Sequence, residues 1–447
     1  MAAVNSALAT RIAQEHAAAE DSLPTAVISR DRRRLALAAI VKQGLPTARD
    51  ENWKYANLRP LDRVRFTPVA SHAGAADPLH LLPPPVAGLA RYTFVDGLFS
   101  PQLSFPVPHT GVTVRSMQLD CGPARMSSDA TLGADARFAL LNEAFATDGA
   151  DVGVAAGTQC GTCLEVVFAA SADSQSGASY PRLELHVEAG ARFGLIERHL
   201  SLSGDGGAGA QGSISNFVNG VVNIELGRGA RVKHYRVQQL GSRALWFDTL
   251  SATVAEDAEY RLYSVGLGAL SARSTANIRI SGERADVGVY AVAVADRQQN
   301  HDAYVLVDHA TPRARTEQTF RGVAAGRARV AFNGKVVVRK DAHGTDSRQS
   351  LRGLLAGAEA EIDVRPQLEI YTDDVKCSHG ATAGKLDDDM LFYLLSRGLD
   401  RETAQRLLKW AFLEDVVARI EVPELRRQIE QSLAGQLNET DTLQELF

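Results

Sequence analysis

The segment Leu183-Glu184-Leu185-His186-Val187 alternates apolar and polar residues, and Ala191-Arg192-Phe193 follows after a short break. Strict alternation places the apolar side chains on one face of a β-strand. Apolar residues two positions apart recur downstream, in the pairs Ile224/Leu226, Tyr260/Leu262, Ile278/Ile280, Val330/Phe332, Ile362/Val364 and Leu368/Ile370. The sequence therefore predicts a mainly β body made of many short strands.

A triplet of a small, a charged and an apolar residue recurs where these strands begin. The triplets are Ala191-Arg192-Phe193, Ala230-Arg231-Val232, Ala258-Glu259-Tyr260, Ala285-Asp286-Val287, Ala328-Arg329-Val330 and Ala360-Glu361-Ile362. They are separated by 39, 28, 27, 43 and 32 residues. A constant strand-start pattern at unequal intervals is typical of a β-solenoid whose turns carry loops of different length. A β-sandwich would give similar strands and is the alternative.

The N-terminal residues have helical periodicity. A helix is predicted from Arg30 to Gln43, because its apolar residues are spaced helically and Gly44 is a good C-terminal stop. A short basic run lies on this helix, and we interpret it as a solvated face. Its members are Arg30, Arg32, Arg33 and Arg34.

The pattern becomes helical again from Lys385. Asp387 to Asp389 lie near the start of a first helix, which Gly398 ends. Asp400 is a natural N-cap for a second helix, and Pro423 opens a third. Periodicity does not decide whether these amphipathic helices pack on the β body or form a docking surface.

These patterns divide the chain into regions. We expect a helical region at residues 1–70, a linker and the start of the core at 71–150, a core of β-strands at 151–384, and a helical region at 385–447.

The bulk composition narrows the function classes. The formal net charge is −5, which disfavours nucleic acid as the main partner. We expect no transmembrane helix, because no apolar run is long enough, and no secretory signal, because a basic segment followed by an apolar one is missing. Four cysteines in 447 residues do not form a disulfide framework, so a cytosolic location is predicted.

Candidate metal ligands occur together near the end of the core. Cys377 and His379 are two positions apart in an extended segment, so they share a strand face about 6.6 Å apart. A thiolate and an imidazole are ligands for zinc or iron, but a complete site needs more donors. The pair is therefore half of a metal or iron–sulfur site, or else a buried cysteine and a hydrogen-bonded histidine. Asp373 and Asp374 could orient the histidine or hold a metal, although adjacent strand residues point to opposite faces.

Other motifs are weaker. Cys160-Gly161-Thr162-Cys163 has redox or metal spacing, but no second C-x-x-C follows, so functional and structural roles both stay open. Cys121 is isolated and is expected to be structural. The glycine cluster from Gly204 to Gly209 matches no phosphate-binding motif and is predicted to be a flexible loop. No nucleophile motif is present either.

Several stretches resemble the SufB/SufD family of the SUF iron–sulfur cluster assembly system, and its SufD branch in particular. The longest runs from Pro366 through Asp373-Asp374-Val375-Lys376-Cys377-Ser378-His379-Gly380-Ala381-Thr382 to Gly384. The others are Leu391-Phe392-Tyr393-Leu394, Ser396-Arg397-Gly398, Phe332-Asn333-Gly334-Lys335-Val336, His309, and Glu51-Asn52-Trp53-Lys54-Tyr55-Ala56-Asn57-Leu58.

The resemblance implies a right-handed parallel β-helix core flanked by N-terminal and C-terminal helical regions. It also implies a non-enzymatic scaffold that pairs with a SufB-like subunit and binds a SufC-like ATPase. An iron–sulfur cluster would be held transiently and shared with the partner, and a flavin in the complex stays open. No cofactor is expected in the isolated chain.

The resemblance also assigns residues. His379, with Cys377 beside it, is the candidate cluster ligand at the subunit interface. The candidate ATPase-docking residues are Leu391, Phe392, Tyr393, Arg397, Leu407, Leu408 and Phe412.

Two alternatives stay open. The first is an independent β-solenoid metalloenzyme that uses Asp373, Asp374, Cys377 and His379 around one ion. The second is a homodimeric scaffold, in which two copies of the chain face each other.

Overall fold

The computed structural model describes residues 2–69, 82–119, 135–171, 177–202 and 216–437, with the side chains described from residue 7 onward. Cys121 and the glycine cluster from Gly204 to Gly209 lie outside these residues. The helices are α1 (Ala2–Ala19), α2 (Arg30–Gln43), α3 (Arg137–Phe145), α4 (Asp388–Ser396), α5 (Arg401–Val417) and α6 (Pro423–Gln436). The strands are β1 (Ala90–Val95), β2 (Leu98–Phe99), β3 (Val112–Ser116), β4 (Ala150–Val154), β5 (Gln159–Ala170), β6 (Ala178–Ser179), β7 (Arg182–Val187), β8 (Arg192–Ser201), β9 (Phe217–Leu226), β10 (Arg231–Gln239), β11 (Leu245–Val254), β12 (Glu259–Gly266), β13 (Ser271–Ile280), β14 (Asp286–Ala295), β15 (Asn300–His309), β16 (Arg315–Ala324), β17 (Arg329–Val338), β18 (Thr345–Leu355), β19 (Glu361–Ile370) and β20 (Val375–Gly384).

The strands form two sheets that the chain visits alternately. The first sheet has the order β2-β1-β5-β8-β10-β12-β14-β16-β18-β20, and the second has the order β19-β17-β15-β13-β11-β9-β7-β4-β3. From β5 onward, neighbours in the first sheet are parallel and each pair is one turn apart along the chain. The body is therefore a β-solenoid of about 7 turns flanked by helices, as predicted, and the β-sandwich alternative is wrong.

The strand-start triplets mark real strand starts, but on both sheets. The first four open β8, β10, β12 and β14 of the first sheet, whereas the last two open β17 and β19 of the second. The interval of 43 residues therefore joins one sheet to the other. Within the first sheet, Arg231 pairs with Glu259, Glu259 with Asp286, and Asp286 with Arg315, so the turns are close to equal in length.

Apolar side chains fill the space between the sheets. Each strand contributes alternate residues, such as Leu195, Val232, Tyr260 and Val287 from the first sheet, all of which are buried. Stacking turns in register lines these side chains up in rows, so each turn buries its apolar face against the next turn. This stacking is the main source of stability for the body.

The predicted solvated face of α2 is wrong at Arg33. Its guanidinium group is buried and donates to the backbone oxygens of Ile28, Ala144 and Ala146 at 2.8 to 3.1 Å. Burial lowers the pKa of Arg33 to about 10. The side chain fastens α2 to the end of α3, because carbonyls at a helix C-terminus need donors.

The Trp-Lys-Tyr segment joins the N-terminal region to the second sheet. Trp53 is buried, and the guanidinium carbon of Arg273 lies 4.3 Å from the centre of its ring. The guanidinium carbon of Arg329 lies 5.2 Å from the ring centre of Tyr55. Cation–π contacts of this kind are worth roughly 1 kcal/mol each, so they help to hold the segment against the second sheet.

The C-terminal helices begin and end where the sequence predicts. Asp387 accepts hydrogen bonds from the backbone of Asp389 and Met390, and Asp400 accepts one from Thr403 at 2.9 Å. Pro423 is the first residue of α6. Each cap satisfies backbone N–H groups that have no partner inside the helix.

Helices α5 and α6 pack on the first sheet. Trp410, Leu413 and Ile429 are buried there against Tyr263 and Val292. No helix in the described part of the chain has both the length and the apolar character needed to cross a membrane.

Candidate functional site

The two sheets end together at β19 and β20, which we call the open end. β20 pairs with β18 and β19 pairs with β17, and no described strand pairs with the other side of either. Most side chains of β20 are exposed. An edge strand presents unpaired N–H and C=O groups, which are a template for another strand. The open end therefore presents two such edges in one place.

Cys377 and His379 lie in β20 at the open end. Cys377 is in register with Ser347, and His379 is in register with Gln349. Ser347 and Gln349 are buried, so this face of the sheet points into the solenoid. The structure thus brings the thiol and the imidazole onto one inward face, as their spacing predicts.

Two rows of the inner face become polar as they approach this end. One row runs Val287, Thr316, Ser347 and Cys377, and the next row runs Val289, Gln318, Gln349 and His379. We call the last three members of each row the inner polar rows. In these two rows, apolar side chains are thus replaced over the final turns by groups that can hold a polar ligand, whereas the next inward row keeps Phe320 and Leu351 in the apolar core.

Hydrogen bonds order the inner polar rows. The hydroxyl of Thr316 lies 2.8 Å from that of Ser347, and His309 Nε2 lies 3.1 Å from the same threonine oxygen. Gln349 Nε2 donates to Gln318 Oε1 at 3.1 Å. Because these buried side chains are hydrogen-bonded to one another, they form a rigid layer. This layer supports Cys377 and His379, the next members of the rows in β20.

Gly334 of β17 leaves room for the rows. A Cβ atom at this position would lie 2.6 Å from Gln318 Oε1 and 2.9 Å from Gln349 Nε2. Its carbonyl oxygen accepts a hydrogen bond from Gln349 Nε2 at 2.9 Å. Any larger residue here would displace the glutamine pair, because the second sheet approaches it so closely.

The two candidate ligands differ in exposure. Cys377 is half-buried and packs near Val336, Val338 and Leu368, and its burial raises the pKa of the thiol. His379 is exposed. The thiol is therefore protonated in the isolated chain at neutral pH, and metal binding would displace its proton. The imidazole is accessible to a partner.

Asp373 and Asp374 do not join the pair. Both are exposed in the connection between β19 and β20, and the backbone oxygen of Asp374 accepts a hydrogen bond from Gly344 at 2.7 Å. Among the described residues, Asp373, Asp374, Cys377 and His379 do not bring three ligand atoms within 4.8 Å of one another. The geometry therefore does not favour the metalloenzyme alternative.

Sequence reasoning missed a charged network inside the solenoid. Arg236 donates to both oxygens of Glu197 at 2.7 and 2.9 Å and to both oxygens of Asp248 at 2.9 and 3.0 Å. Burial alone would raise the pKa of Glu197, but Arg236 with His199 and His234 holds it well below its usual range. The sequence does contain a signal for this network: a charged residue occupies a position of an alternating strand where the alternation predicts an inward-facing apolar residue.

Two buried histidines predict acid sensitivity. Burial lowers the pKa of His301 and His309 to about 4. In the unfolded chain they titrate near pH 6.5, so between about 6.5 and 4 the unfolded chain binds more protons. The free energy of unfolding should therefore fall as the pH drops through this window, by about 2 kcal/mol per histidine near pH 5.

Thermal melting between about pH 7 and pH 5 measures this effect. The dependence of the melting temperature on pH should become weaker in His301→Gln. It should stay unchanged in His343→Gln, because His343 is exposed. A melting temperature that does not change over this range in the unmodified chain would contradict the expectation.

Helix α4 presents an exposed apolar patch next to the open end. Phe392 is 71% exposed, Met390 60% and Tyr393 56%, whereas Leu391 is buried. We call Met390, Phe392 and Tyr393 the α4 patch. Such a cluster of large apolar residues is typical of a protein-binding surface.

The other predicted docking residues lie nearby with mixed exposure. Arg397 is exposed, with its guanidinium carbon 5.1 Å from the ring centre of Tyr393. Leu407 and Leu408 are half-buried on α5. Phe412 is half-buried, and the guanidinium carbon of Arg321 lies 6.0 Å from its ring centre.

Comparisons with known proteins point to one family. Residues 168–412 match the family model described as SUF system FeS cluster assembly, SufBD core domain. The chain is 28% identical over 397 residues to the iron–sulfur cluster assembly protein SufD of Escherichia coli, covering 88% of this chain and 89% of that protein. It is 30% identical over 399 residues to a SufBD family iron–sulfur cluster assembly protein of Synechocystis, covering 87% of each. The matched segment includes the open end and α4.

Proposed function

The chain belongs to the SufBD core family of the SUF iron–sulfur cluster assembly system, and from this premise we propose that it is a non-enzymatic scaffold subunit. In this proposal it pairs with a SufB-like subunit, binds a SufC-like ATPase, and contributes ligands to a cluster that is assembled and passed on. The cluster is cargo, held transiently and shared with the partner.

One observation carries the proposal: His379 and Cys377 form an incomplete ligand set on an edge strand. A complete cluster or metal shell needs more donors than these two. Because β20 has no described neighbour on its outer side, a second subunit facing the open end would supply the missing ligands. His379 is the residue better placed to contribute, since it is exposed and Cys377 is half-buried.

The open end also supports pairing through the β-solenoids. Both sheets end at the same turn, so one partner strand on each edge would continue both sheets across the interface. A second copy of this chain could use the same edges when no SufB-like subunit is present. We therefore propose the heterodimer as the working state and the homodimer as a form of the isolated chain.

The α4 patch and the neighbouring face of α5 support the binding of the ATPase. Helix α5 is attached to the first sheet by ion pairs between Asp415 and Arg321 and between Arg419 and Glu317, the second at 3.1 Å. We propose that a movement of the docked ATPase is passed through α5 to the solenoid. The site would then be coupled to nucleotide hydrolysis although this chain hydrolyses nothing.

Co-purification of the full chain with SufB-like and SufC-like subunits tests the proposal. We expect one stable complex of the three proteins and cluster formation only in that complex. Three proteins that never co-elute would refute the scaffold function. A flavin site is not assigned to this chain, and the cytosolic location stays a prediction.

Phe392→Asp tests the docking surface within the same experiment. The substitution places a charge in the α4 patch and should weaken ATPase binding about 30-fold or more, the loss typical of a binding hot spot. Pairing with the SufB-like subunit should persist. The matched control is Leu35→Asp, because Leu35 is 71% exposed on α2, as Phe392 is on α4. Unchanged ATPase binding in Phe392→Asp would place the docking surface elsewhere.

A further inference from the structure

A bulge in β5 carries the motif Cys160-Gly161-Thr162-Cys163. The register between β5 and β8 shifts on both sides of Thr162, so β5 departs from regular pairing there. A bulge re-aims side chains that would otherwise alternate. Here Cys160 is half-buried, Cys163 is buried, and both pack at the edge of the main core.

A tight turn brings His109 to the two cysteines. The backbone oxygen of Gly111 accepts a hydrogen bond from Ala155 at 2.8 Å, which holds the turn against the connection between β4 and β5. Gly111 has φ +79°, and a Cβ atom there would lie 2.2 Å from Thr158 Oγ1. The close approach requires glycine, and it fixes the position of His109 two residues earlier.

One nitrogen of His109 has no hydrogen-bond partner. Its Nε2 atom is buried, and no described residue donates to it or accepts from it. An imidazole nitrogen, Cys160 Sγ and Cys163 Sγ all lie within 4.8 Å of one another. A buried polar atom without a partner costs about 1–3 kcal/mol, so a ligand at this point would remove a penalty.

The donor set selects a class of metal ion. Two thiolates and one imidazole are preferred by zinc and similar borderline-soft ions, whereas magnesium and calcium prefer oxygen donors. Three protein ligands leave the fourth tetrahedral position to water. In this structure the two sulfur atoms are joined as a disulfide, which offers no thiolate.

We propose that the reduced chain binds one zinc ion through Cys160, Cys163 and His109, and that the disulfide is the alternative, metal-free state. A dithiol such as dithiothreitol supplies two electrons that open the S–S bond, giving two thiols, and is itself converted to a cyclic disulfide. Zinc binding then displaces the two thiol protons. The site is separate from the open end, because β5 and β20 lie near opposite ends of the first sheet. A zinc ion here departs from the expectation of no cofactor in the isolated chain.

Metal content and cobalt spectra of the full chain test the proposal. After reduction and exposure to zinc, we expect about one equivalent per chain, and close to none in the oxidised chain. Cobalt added to the reduced chain should give the strong absorption of thiolate-to-cobalt charge transfer and the visible bands of a tetrahedral ion.

Variants assign the ligands. Cys160→Ser and Cys163→Ser should each weaken the thiolate absorption, because one thiolate remains, and the double variant Cys160→Ser/Cys163→Ser should abolish it. His109→Ala should weaken zinc binding about tenfold or more. The Cys377→Ser variant should still bind one zinc ion, because all three proposed ligands remain in place. Melting curves of each variant without metal show whether a loss of binding reflects unfolding.

Three results would each overturn the proposal. They are a reduced, folded chain that takes up no zinc or cobalt, equal uptake by the oxidised chain, and uptake that persists unchanged in the double variant Cys160→Ser/Cys163→Ser.

Discussion

Replacing His379 by alanine should lower the yield of iron–sulfur cluster in the three-component complex about tenfold or more, because loss of even a supporting hydrogen bond behind a ligand costs about 10–100-fold in metal affinity. The fold should not change, since His379 is exposed. Cluster yield is measured by absorbance and by iron and sulfide content after assembly, and folding by the melting temperature of the isolated chain.

Two further variants sharpen this prediction. His379→Cys should retain part of the yield, because a thiolate is also a cluster ligand. His343→Ala is the matched control, an exposed histidine on the preceding turn of the solenoid. Full yield from His379→Ala would remove this residue from the mechanism, and a complex that no longer forms would assign it to subunit pairing.

Replacing Arg236 by methionine should destabilise the chain by about 3–5 kcal/mol, because it removes the cation that both oxygens of Asp248 accept from and leaves Glu197 with its two histidine partners alone. Arg236 is the shared donor for Glu197 and Asp248, and both carboxylates are buried. The loss of stability should lower both the melting temperature and the denaturant concentration at the midpoint of unfolding. Hydrogen exchange should accelerate first in β8, β10 and β11, which carry the three residues.

Arg348→Met is the control for this prediction. Arg348 is mostly exposed and pairs with Asp346 at 3.3 Å, so its removal should cost no more than about 1 kcal/mol. Replacing Glu197, Arg236 and Asp248 together by apolar residues should recover much of the stability lost in the single variant. Equal, small losses for Arg236→Met and Arg348→Met would show that the network contributes little.

The fold was largely predictable because its periodicity is local. Alternating residues and strand-start triplets are read within a few positions, and the caps at Asp387, Asp400 and Pro423 depend only on neighbouring backbone. The assignment of triplets to two sheets was not predictable, since it depends on which strands stack. Arg33 was misread for a similar reason: the carbonyls that bury it come from a helix more than a hundred residues away.

The candidate site was predictable only in its local part. The spacing of Cys377 and His379 puts them on one strand face, whereas the support from Ser347 and Gln349 depends on register between turns. Likewise, C-x-x-C spacing is visible in the sequence, but His109 reaches it only through the turn at Gly111. Contacts between distant segments were the information that a single sequence lacked.

The open end has a consequence for cooperativity. In a solenoid, each turn gains stability from the turn on either side, and a terminal turn without a cap has a neighbour on one side only. The turn formed by β19 and β20 is therefore the one most prone to local opening, and it carries His379. Under the proposed function, ordering of His379 and docking of a partner would then be linked in free energy, so that the site would be fully formed only in the complex.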